Sequence, residues 1–349
     1  MTRPPDSAAR RFDAGGATLT SIGETSLLSL LVGRSRASRP VALEVPSGDD
    51  ASVWAPTPGH CVAVTQDCLV EGEDFRRGWI SPRQLGRRAV HVAASDLAAT
   101  GAWPRLCLVT LGLPAMTEVD DVIALEDGLC EAAAALGMTV AGGDVSDVAS
   151  VIVIDVTVVG EVEPGRSLRR DRGRPGDVLV VTGHVGRAAA GLRLLEGEQL
   201  VASEEARAAW VAAQLAPQAR ISEGRAFLEA GVACAGDLSD GLLIDATRTA
   251  AASGCAAELW VEALPVDAEL RAALPDEWLQ AAVGGGEDFE LLAGVAPSAI
   301  VALTRYWSQE LAPLTIVGQL TAGVGVRLLE REGGALVEPP PSLARHYAP

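Results

Sequence analysis

The spacing of apolar and polar residues along the chain predicts both helices and strands. The best-marked helix begins at Ser81 as N-cap, carries Pro82 at its first position and ends just before Gly101. Its apolar residues recur at helical spacing; they are Leu85, Ala89, Val92, Ala93 and Leu97. We also predict a short amphipathic helix over residues 23–31 and a longer helix over residues 119–136, closed by Gly137.

Shorter apolar runs in the first half of the chain predict strands at residues 61–65, 106–113, 138–141 and 151–160. We expect an acidic loop, residues 66–74, to follow the first strand directly. In the last strand Asp155 shares a face with valines and Thr157, whereas the opposite face is wholly apolar. That pattern suits a strand buried on one side of a sheet.

Residues 163–177 are rich in Gly, Pro and Arg and form the best candidate boundary. Beyond them the pattern restarts with a strand at 178–182, a helical region at 202–230 and a helix at 241–252. Further strands are predicted at 257–261, 288–293 and 314–319, and Gly333-Gly334 has the composition of a hairpin turn. The fold class is therefore α/β (mixed α+β), with two domains expected from a length of 349 residues. We assign residues 1–20 to a flexible tail, 21–164 to an N-terminal domain, 165–177 to a linker and 178–349 to a C-terminal domain.

Two missing residue types narrow the chemistry. The chain has neither Lys nor Asn, and all 28 of its basic residues are Arg. The absence of Lys excludes a Walker-type phosphate lysine, a protein-kinase lysine and a Schiff-base enzyme. The absence of Asn excludes a Cys-His-Asn protease. Any phosphate must therefore be bound by Arg, backbone amides or metal ions.

The charge and the cysteines suggest where the protein works. A net charge of −18 argues against a nucleic-acid surface and against docking on an anionic membrane. The six cysteines are scattered without a Cys-x-x-Cys pair, as is typical of a reducing compartment. No secretory signal and no run of ~20 apolar residues is evident. We expect a soluble cytoplasmic protein.

Acidic residues gather in short glycine-containing segments between apolar elements. These are Gly48-Asp49-Asp50, Asp67, Ser95-Asp96, Gly142-Gly143-Asp144, Gly236–Gly241 and Gly284–Asp288. Carboxylates that meet in space repel one another unless a cation lies between them, and oxygen-only ligands favour Mg²⁺. The segments therefore predict Mg²⁺ that bridges the protein to a triphosphate.

Two positions sharpen this interpretation. Asp237 and Asp240 are three residues apart at an expected helix start, so their carboxylates would share one face beside free amides. Asp96 lies on the apolar side of its predicted helix, where an unpartnered carboxylate is costly. A bound ion would supply the missing partner.

The order of these motifs resembles the thiamine-monophosphate kinase family, within the aminoimidazole-ribonucleotide-synthetase-like superfamily. The motifs that carry the resemblance are Gly48-Asp49-Asp50, Asp67–Gly72, Ser95–Ala102, Gly142-Gly143-Asp144, Asp237–Leu242 and Gly285–Leu291. Each motif is weakly specific alone, but the ordered set is specific, and the resemblance runs from about Gly23 nearly to the C-terminus.

The resemblance implies a two-domain subunit whose N-terminal sheet pairs with a second copy in a homodimer. It also implies that ATP lies between the domains and is held through several Mg²⁺ ions. The implied metal ligands are Asp50, Thr65, Asp67, Asp96, Asp144, Asp237 and Asp240. The implied ATP contacts are Gly143, Asp144, Arg170 and Ser239, and the implied acceptor contacts are Asp74 and Glu287. The implied reaction is direct in-line transfer from ATP to thiamine monophosphate, without a covalent intermediate and without an obvious general base.

Some positions depart from the family pattern. Gln66 stands where Thr is usual, Asp74 where His is usual, and Val145 where a hydroxyl residue is favoured; Ala344 replaces a common aromatic residue. Asp74 and Ala344 fall where the family handles the thiamine end. Two alternatives therefore remain open: a paralogous kinase with a different phosphate acceptor, and a dimeric nucleotide-binding module without turnover. More distant superfamily members activate an amide or a selenide with ATP.

Overall fold

The computed structural model describes residues 16–37 and 40–341, which form eleven α-helices and eleven β-strands. The helices are α1 Leu19–Ile22, α2 Glu24–Ala37, α3 Pro82–Thr100, α4 Val119–Ala135, α5 Arg187–Leu195, α6 Glu204–Leu215, α7 Ile221–Glu229, α8 Leu242–Ala252, α9 Ala268–Ala273, α10 Trp278–Gly284 and α11 Ile300–Tyr306. The strands are β1 Cys61–Val70, β2 Trp103–Leu113, β3 Thr139–Asp147, β4 Val153–Val162, β5 Val178–Thr182, β6 Cys234–Leu238, β7 Ala256–Trp260, β8 Glu290–Val295, β9 Leu314–Thr321, β10 Gly325–Leu329 and β11 Leu336–Val337.

Helix α3 begins and ends where the sequence predicts. The Ser81 Oγ accepts a hydrogen bond from the Gln84 N–H at 3.3 Å, which satisfies one free donor of the first turn. Gly101 ends the helix with φ +69°, a left-handed conformation that glycine adopts without steric cost. Local capping chemistry therefore fixes both ends of the helix.

The first sheet has the strand order β1-β4-β2-β3. Strand β4 is antiparallel to β1 and β2, and β2 is parallel to β3. Helices α3 and α4 cover one face and share a core with it. The opposite face leaves apolar side chains in solvent, because Val62, Val64 and Leu108 are 52%, 63% and 43% exposed.

The second sheet has seven strands in the order β11-β10-β7-β9-β5-β8-β6. All neighbouring pairs are antiparallel except β7 and β10. Successive residues of β5 point to opposite faces of the sheet. Val181 packs with helix α8, whereas Val180 packs in the core that contains α3 and α7. Strand β6 is the edge strand nearest the first half of the chain.

Helix α3 links the two halves. Its residue Ala98 approaches helix α7 so closely that a Cβ on Gly224 would lie 2.0 Å from the Ala98 carbonyl oxygen. Glycine is therefore required at this crossing. One hydrophobic core continues from the first sheet through α3 to the second sheet. Residues that project from α3 can consequently contact both halves.

Three sequence-based predictions about local structure are wrong. Strand β1 does not end at Thr65 but continues to Val70, so Asp67 lies on a strand rather than in a loop. Strand β3 does not end at residue 141 but continues to Asp147, so it includes Gly142-Gly143-Asp144, which we expected to lie between elements. Asp237 lies on strand β6 and not at a helix start, so it shares no helix face with Asp240. In each case hydrogen bonds to a neighbouring strand outweigh the turn preference of Gly and Asp.

The remaining differences concern the boundaries of elements. Most of the predicted tail lies outside the described residues, but its last two residues, Leu19 and Thr20, belong to helix α1. Helix α2 runs to residue 37, beyond the predicted end at 31. The helical region at 202–230 is two helices, α6 and α7, separated around Pro217. The turn at Gly333-Gly334 joins antiparallel strands β10 and β11, as predicted.

Candidate active site

Three carboxylates from different elements converge between the two halves of the chain. Asp67 projects from β1 toward α3, Asp96 lies on α3, and Asp237 lies at the end of β6. The Thr65 hydroxyl donates to the Asp96 carboxylate at 2.5 Å, and the Ser95 hydroxyl donates to the Asp237 carboxylate at 3.0 Å. The structure therefore brings together residues separated by as many as 172 positions in the sequence. We call Asp67, Asp96 and Asp237 the carboxylate cluster.

The carboxylate cluster is electrostatically strained. Burial and the nearby charges of Asp96 and Asp237 raise the pKa of Asp67 from 3.8 to about 7. Burial and the charge of Asp96 likewise raise the pKa of Asp237 to about 6, although Arg170 opposes that rise. The charges of Asp96 and Asp237 therefore make ionisation of Asp67 harder, and the charge of Asp96 does the same for Asp237. A cation between them would relieve this repulsion.

Arg170 lies at the edge of the carboxylate cluster. Its Nη2 donates to Asp237 at 3.0 Å, and its Nε is buried without a hydrogen-bond partner among the described residues. A Cβ at Gly236 would lie 2.7 Å from that Nε, so glycine leaves room for the guanidinium. The half-exposed guanidinium keeps donors available for an anion beside the carboxylates.

Asp240 and Ser239 occupy the loop between β6 and α8. The Arg248 guanidinium forms an ion pair with Asp240 and a second ion pair with Asp245 at 2.9 Å. The Asp240 N–H donates to the Asp245 carboxylate at 3.0 Å. The Ser239 carbonyl accepts from the Glu287 N–H at 2.8 Å. This loop continues directly from strand β6, which carries Asp237, and it therefore flanks the carboxylate cluster.

A second group of predicted residues lines a large cleft beside the edge strand β3. Asp50, Gly143 and Asp144 all border this cleft, which has a volume of about 1160 Å³ and is also bordered by α2. A Cβ at Gly143 would lie 1.9 Å from the Val109 carbonyl oxygen, so only glycine permits the β2–β3 pairing there. Asp50 and Asp144 are exposed. The structure thus places these predicted residues together, apart from the carboxylate cluster.

The two predicted acceptor contacts have different environments. The Asp74 carboxylate accepts from the Val70 N–H at 2.7 Å and closes the turn after β1. Its charge contributes to the raised pKa of Asp67, so it lies near the carboxylate cluster. Glu287 instead accepts from the buried Arg88 at 2.7 Å and from the Gln214 side-chain amide. Ala344 lies outside the described residues.

The side chains present fit a hard divalent cation. Among residues 16–37 and 40–341, no group of three or more Asp, Glu, His or Cys side chains is arranged as a complete metal site. The carboxylate cluster still offers oxygen ligands alone, which suits Mg²⁺ better than zinc or copper. Burial and mutual repulsion raise the pKa values of Asp67 and Asp237, so a bound cation would favour their ionised forms. The site can therefore hold cations and, through them and Arg170, a polyphosphate.

The sequence analysis did not identify two residues as parts of this site. Arg88 is only 1% exposed and reaches Glu287 from α3; Asp155 on β4 adds to the charge around Asp67. A signal for Arg88 was available, because it lies between Leu85 and Val92 at helical spacing on the buried side of α3. No spacing rule points to Glu287 as its partner.

Comparisons with known proteins show the family to which this chain belongs. Residues 48–162 match the family described as AIR synthase related protein, N-terminal domain, and residues 174–329 match the corresponding C-terminal domain. The thiamine-monophosphate kinase of Salmonella typhimurium is 35% identical over 314 residues, which cover 89% of this chain and 94% of the relative. The chain belongs to the thiamine-monophosphate kinase family.

Solved structures of the thiamine-monophosphate kinase family have the same fold. The enzyme from Stenotrophomonas maltophilia is 31% identical, with a TM-score of 0.76 over 86% of this chain and 95% of that one. AaThiL complexed with AMPPCP and TMP is 30% identical, with a TM-score of 0.72 over 95% of this chain and 99% of that one. The predicted fold class and family are thereby confirmed.

Proposed function

We propose that this chain transfers a phosphoryl group from ATP to the phosphate of thiamine monophosphate, which yields thiamine diphosphate and ADP. Membership of the thiamine-monophosphate kinase family supports the reaction. The observation that carries the proposal is the carboxylate cluster beside Arg170, assembled from both halves of the chain. This arrangement suits a reaction in which two anionic phosphates must approach each other.

Asp67, Asp96 and Asp237 would hold Mg²⁺, with Thr65 as an additional oxygen ligand. Asp240 would add a ligand from the loop after β6, and Asp50 and Asp144 would add ligands from the cleft. Bound Mg²⁺ would neutralise phosphate charge and hold the donor for in-line attack. Ser95 fixes one oxygen of Asp237, which leaves the other toward Arg170. ATP would be contacted by the guanidinium of Arg170, the exposed backbone of Gly143 and the hydroxyl of Ser239.

The acceptor needs little activation by the protein. The second pKa of a phosphomonoester is about 6, so its attacking oxygen is already largely deprotonated at neutral pH. A strong general base and a covalent intermediate are therefore unnecessary. Two residues would bind the thiamine end. Asp74 lies near the carboxylate cluster, and Glu287 lies on the loop that contacts Ser239.

The quaternary structure and the compartment are further parts of the proposal. We propose a homodimer through the uncovered face of the first sheet, where Val62, Val64 and Leu108 are exposed. We place the domain boundary within residues 165–177, as the sequence predicts. All six cysteines, each in the described part of the chain, are unpaired, which supports a cytoplasmic location. No helix among the described residues is long and apolar enough to span a membrane.

The proposal is tested with purified protein, ATP and Mg²⁺. Release of ADP is measured in a coupled assay with and without thiamine monophosphate, and thiamine diphosphate is identified by chromatography. We expect acceptor-dependent ADP release in step with thiamine diphosphate. ADP release with another phosphate acceptor but not with thiamine monophosphate would replace this function by that of a paralogous kinase. Nucleotide binding without turnover on any acceptor would indicate a non-catalytic module.

A further inference from the structure

Arg88 projects from the middle of helix α3 into the contact between the two halves of the chain. Its side chain is 1% exposed, although it carries a full positive charge. One terminal nitrogen donates to the Gln214 carbonyl oxygen and the other donates to the Glu287 carboxylate at 2.7 Å. A charge this deeply buried is stable only with partners of this kind. Arg88 thus joins helix α3 to the segment that carries Glu287 by a buried ion pair.

The segment around Glu287 has a strained backbone. Glu287 and Phe289 have φ values of +67° and +49°, which side chains other than glycine rarely adopt. Such conformations persist only where surrounding contacts enforce them, and they cluster at functional sites. Both carboxylate oxygens of Glu287 are engaged, one by Arg88 and the other by the Gln214 amide. Arg88 therefore supplies part of the restraint.

The same segment is fastened to the loop that carries Ser239. The Glu287 N–H donates to the Ser239 carbonyl at 2.8 Å, and the Phe289 N–H donates to the Leu238 carbonyl at 2.9 Å. A Cβ at Gly286 would lie 2.7 Å from the Ser239 carbonyl oxygen, so the two backbones are in close contact. A movement of Glu287 would consequently reach the edge of the candidate nucleotide site.

We propose that Arg88 is a positioning residue that holds Glu287 in its left-handed conformation and thereby sets the place of the phosphate acceptor. This inference rests on the proposed function, in which Glu287 contacts the acceptor. Arg88 itself is buried and does not touch the substrate. Because helix α3 also carries Asp96, two turns further along, Arg88 keeps the acceptor in register with the carboxylate cluster.

The fork of the guanidinium matters as much as its charge. Arg88 uses two nitrogens to donate hydrogen bonds to Gln214 and Glu287, which lie on different elements. Lysine has only one nitrogen, on a flexible stem. We expect Arg88→Met to raise the KM for thiamine monophosphate ~10- to 100-fold, the loss that follows from one charged hydrogen bond. The KM for ATP should change less than about twofold. Arg88→Lys should recover only part of the acceptor affinity.

Arg225 provides a matched control. It is also a mostly buried arginine between the two halves, and it forms ion pairs with Glu163 and Glu229 at 2.8 Å. It has no contact with Glu287. Arg225→Met therefore removes a comparable interdomain ion pair, and we expect similar loss of thermal stability without a selective change in the KM for the acceptor.

A Glu287→Gln background tests whether Arg88 acts through Glu287. If it does, adding Arg88→Met to Glu287→Gln should change the acceptor KM by less than about threefold beyond the single variant. Fully multiplicative effects of the two substitutions would overturn the proposal. Equal increases in the KM for ATP and for the acceptor would also overturn it, because they indicate a general structural defect.

Hydrogen exchange separates this inference from the proposed function, since it needs no turnover. The variant for this measurement is Arg88→Lys, because it retains the positive charge and remains usable even if Arg88→Met does not fold. In Arg88→Lys, exchange at residues 285–290 should quicken, while exchange at residues 71–75 stays as in the unmodified protein. Unchanged exchange at 285–290 would overturn the positioning role. If the unmodified protein fails to phosphorylate thiamine monophosphate, the proposed function is wrong, and the exchange result still decides whether Arg88 restrains Glu287.

Discussion

Replacing Asp67 with asparagine removes one negative charge from the carboxylate cluster while nearly preserving the shape of the side chain. Asp67 is half-buried on strand β1, beside Asp96 and Asp237. Its carboxylate has an ordinary pKa of 3.8 but a pKa of about 7 in the folded protein. In the absence of a cation, ionised Asp67 therefore opposes folding. We expect Asp67→Asn to be more stable than the unmodified protein when metal is removed with a chelator.

The size of the effect follows from the two pKa values. Their difference corresponds to about 4 kcal/mol as an upper bound, at 1.36 kcal/mol for each pH unit. Solvent reaches part of the side chain and screens the repulsion, so we expect a gain of about 1–2 kcal/mol. For a chain of 349 residues, that gain should raise Tm by roughly 1–3 °C.

The pH dependence has a definite sign. Above pH 7 the Asp67 carboxyl is ionised in both the folded and the unfolded chain, and the folded state bears the whole cost of burying this charge and of its repulsion by neighbouring carboxylates. Below pH 3.8 it is protonated in both states, and the repulsion disappears. The stability advantage of Asp67→Asn should therefore be largest at about pH 8 and shrink as the pH falls toward 4.

The assay is thermal unfolding of both proteins in chelator at pH 8 and pH 5, repeated with added Mg²⁺. Glu332→Gln, in an exposed turn, is the control for removing one negative charge, and we expect no change in Tm. Added Mg²⁺ should stabilise the unmodified protein more than Asp67→Asn, which should also lose kinase turnover. Equal Tm values for the two metal-free proteins at pH 8 would refute the reasoning about the carboxylate cluster.

Three further substitutions test other parts of the site and fold. Gly143→Ala places a Cβ 1.9 Å from the Val109 carbonyl oxygen, so we expect weaker ATP binding by calorimetry and a lower Tm; unchanged affinity would contradict this. Arg170→Gln should raise the KM for ATP ~10-fold or more in the ADP-release assay, because it removes a charged donor beside Asp237; an effect on the acceptor KM alone would count against that role. Gly128→Ala should lower the free energy of unfolding, measured in urea, by ~2 kcal/mol or more, because its Cβ would lie 2.0 Å from the Arg83 carbonyl oxygen where α3 and α4 meet. A stability equal to that of the unmodified chain would show that the two helices readily separate.

Local chemistry explains which elements the sequence predicts well. Helix α3 is bounded by Ser81, Pro82 and Gly101, whose preferences act within a few residues, and both ends agree with the structure. Strand β5 runs from Val178 to Thr182, as predicted, because a short apolar run is set off by flanking Gly residues. Such signals need no knowledge of distant partners.

The errors arise where distant strands decide the backbone. Asp67 pairs across from Val156 on β4, which keeps it in β1 despite an acidic neighbourhood typical of a loop. Asp237 pairs with Leu291 on β8, and this pairing excludes it from the helix that begins at Leu242. The list of candidate acidic residues was nevertheless useful, because composition and motif order do not depend on element boundaries. Their division into a carboxylate cluster and a cleft group depends on topology, as does the pair formed by Arg88 and Glu287.

A crystal structure of the protein with Mg²⁺, a non-hydrolysable ATP analogue and thiamine monophosphate tests the central claim most directly. We predict Mg²⁺ bound by oxygens of Asp67, Asp96 and Asp237 at about 2.1 Å, with the terminal phosphate of the analogue on the same ions and facing the acceptor phosphate. A nucleotide bound elsewhere, with these three carboxylates free of metal, would contradict the account.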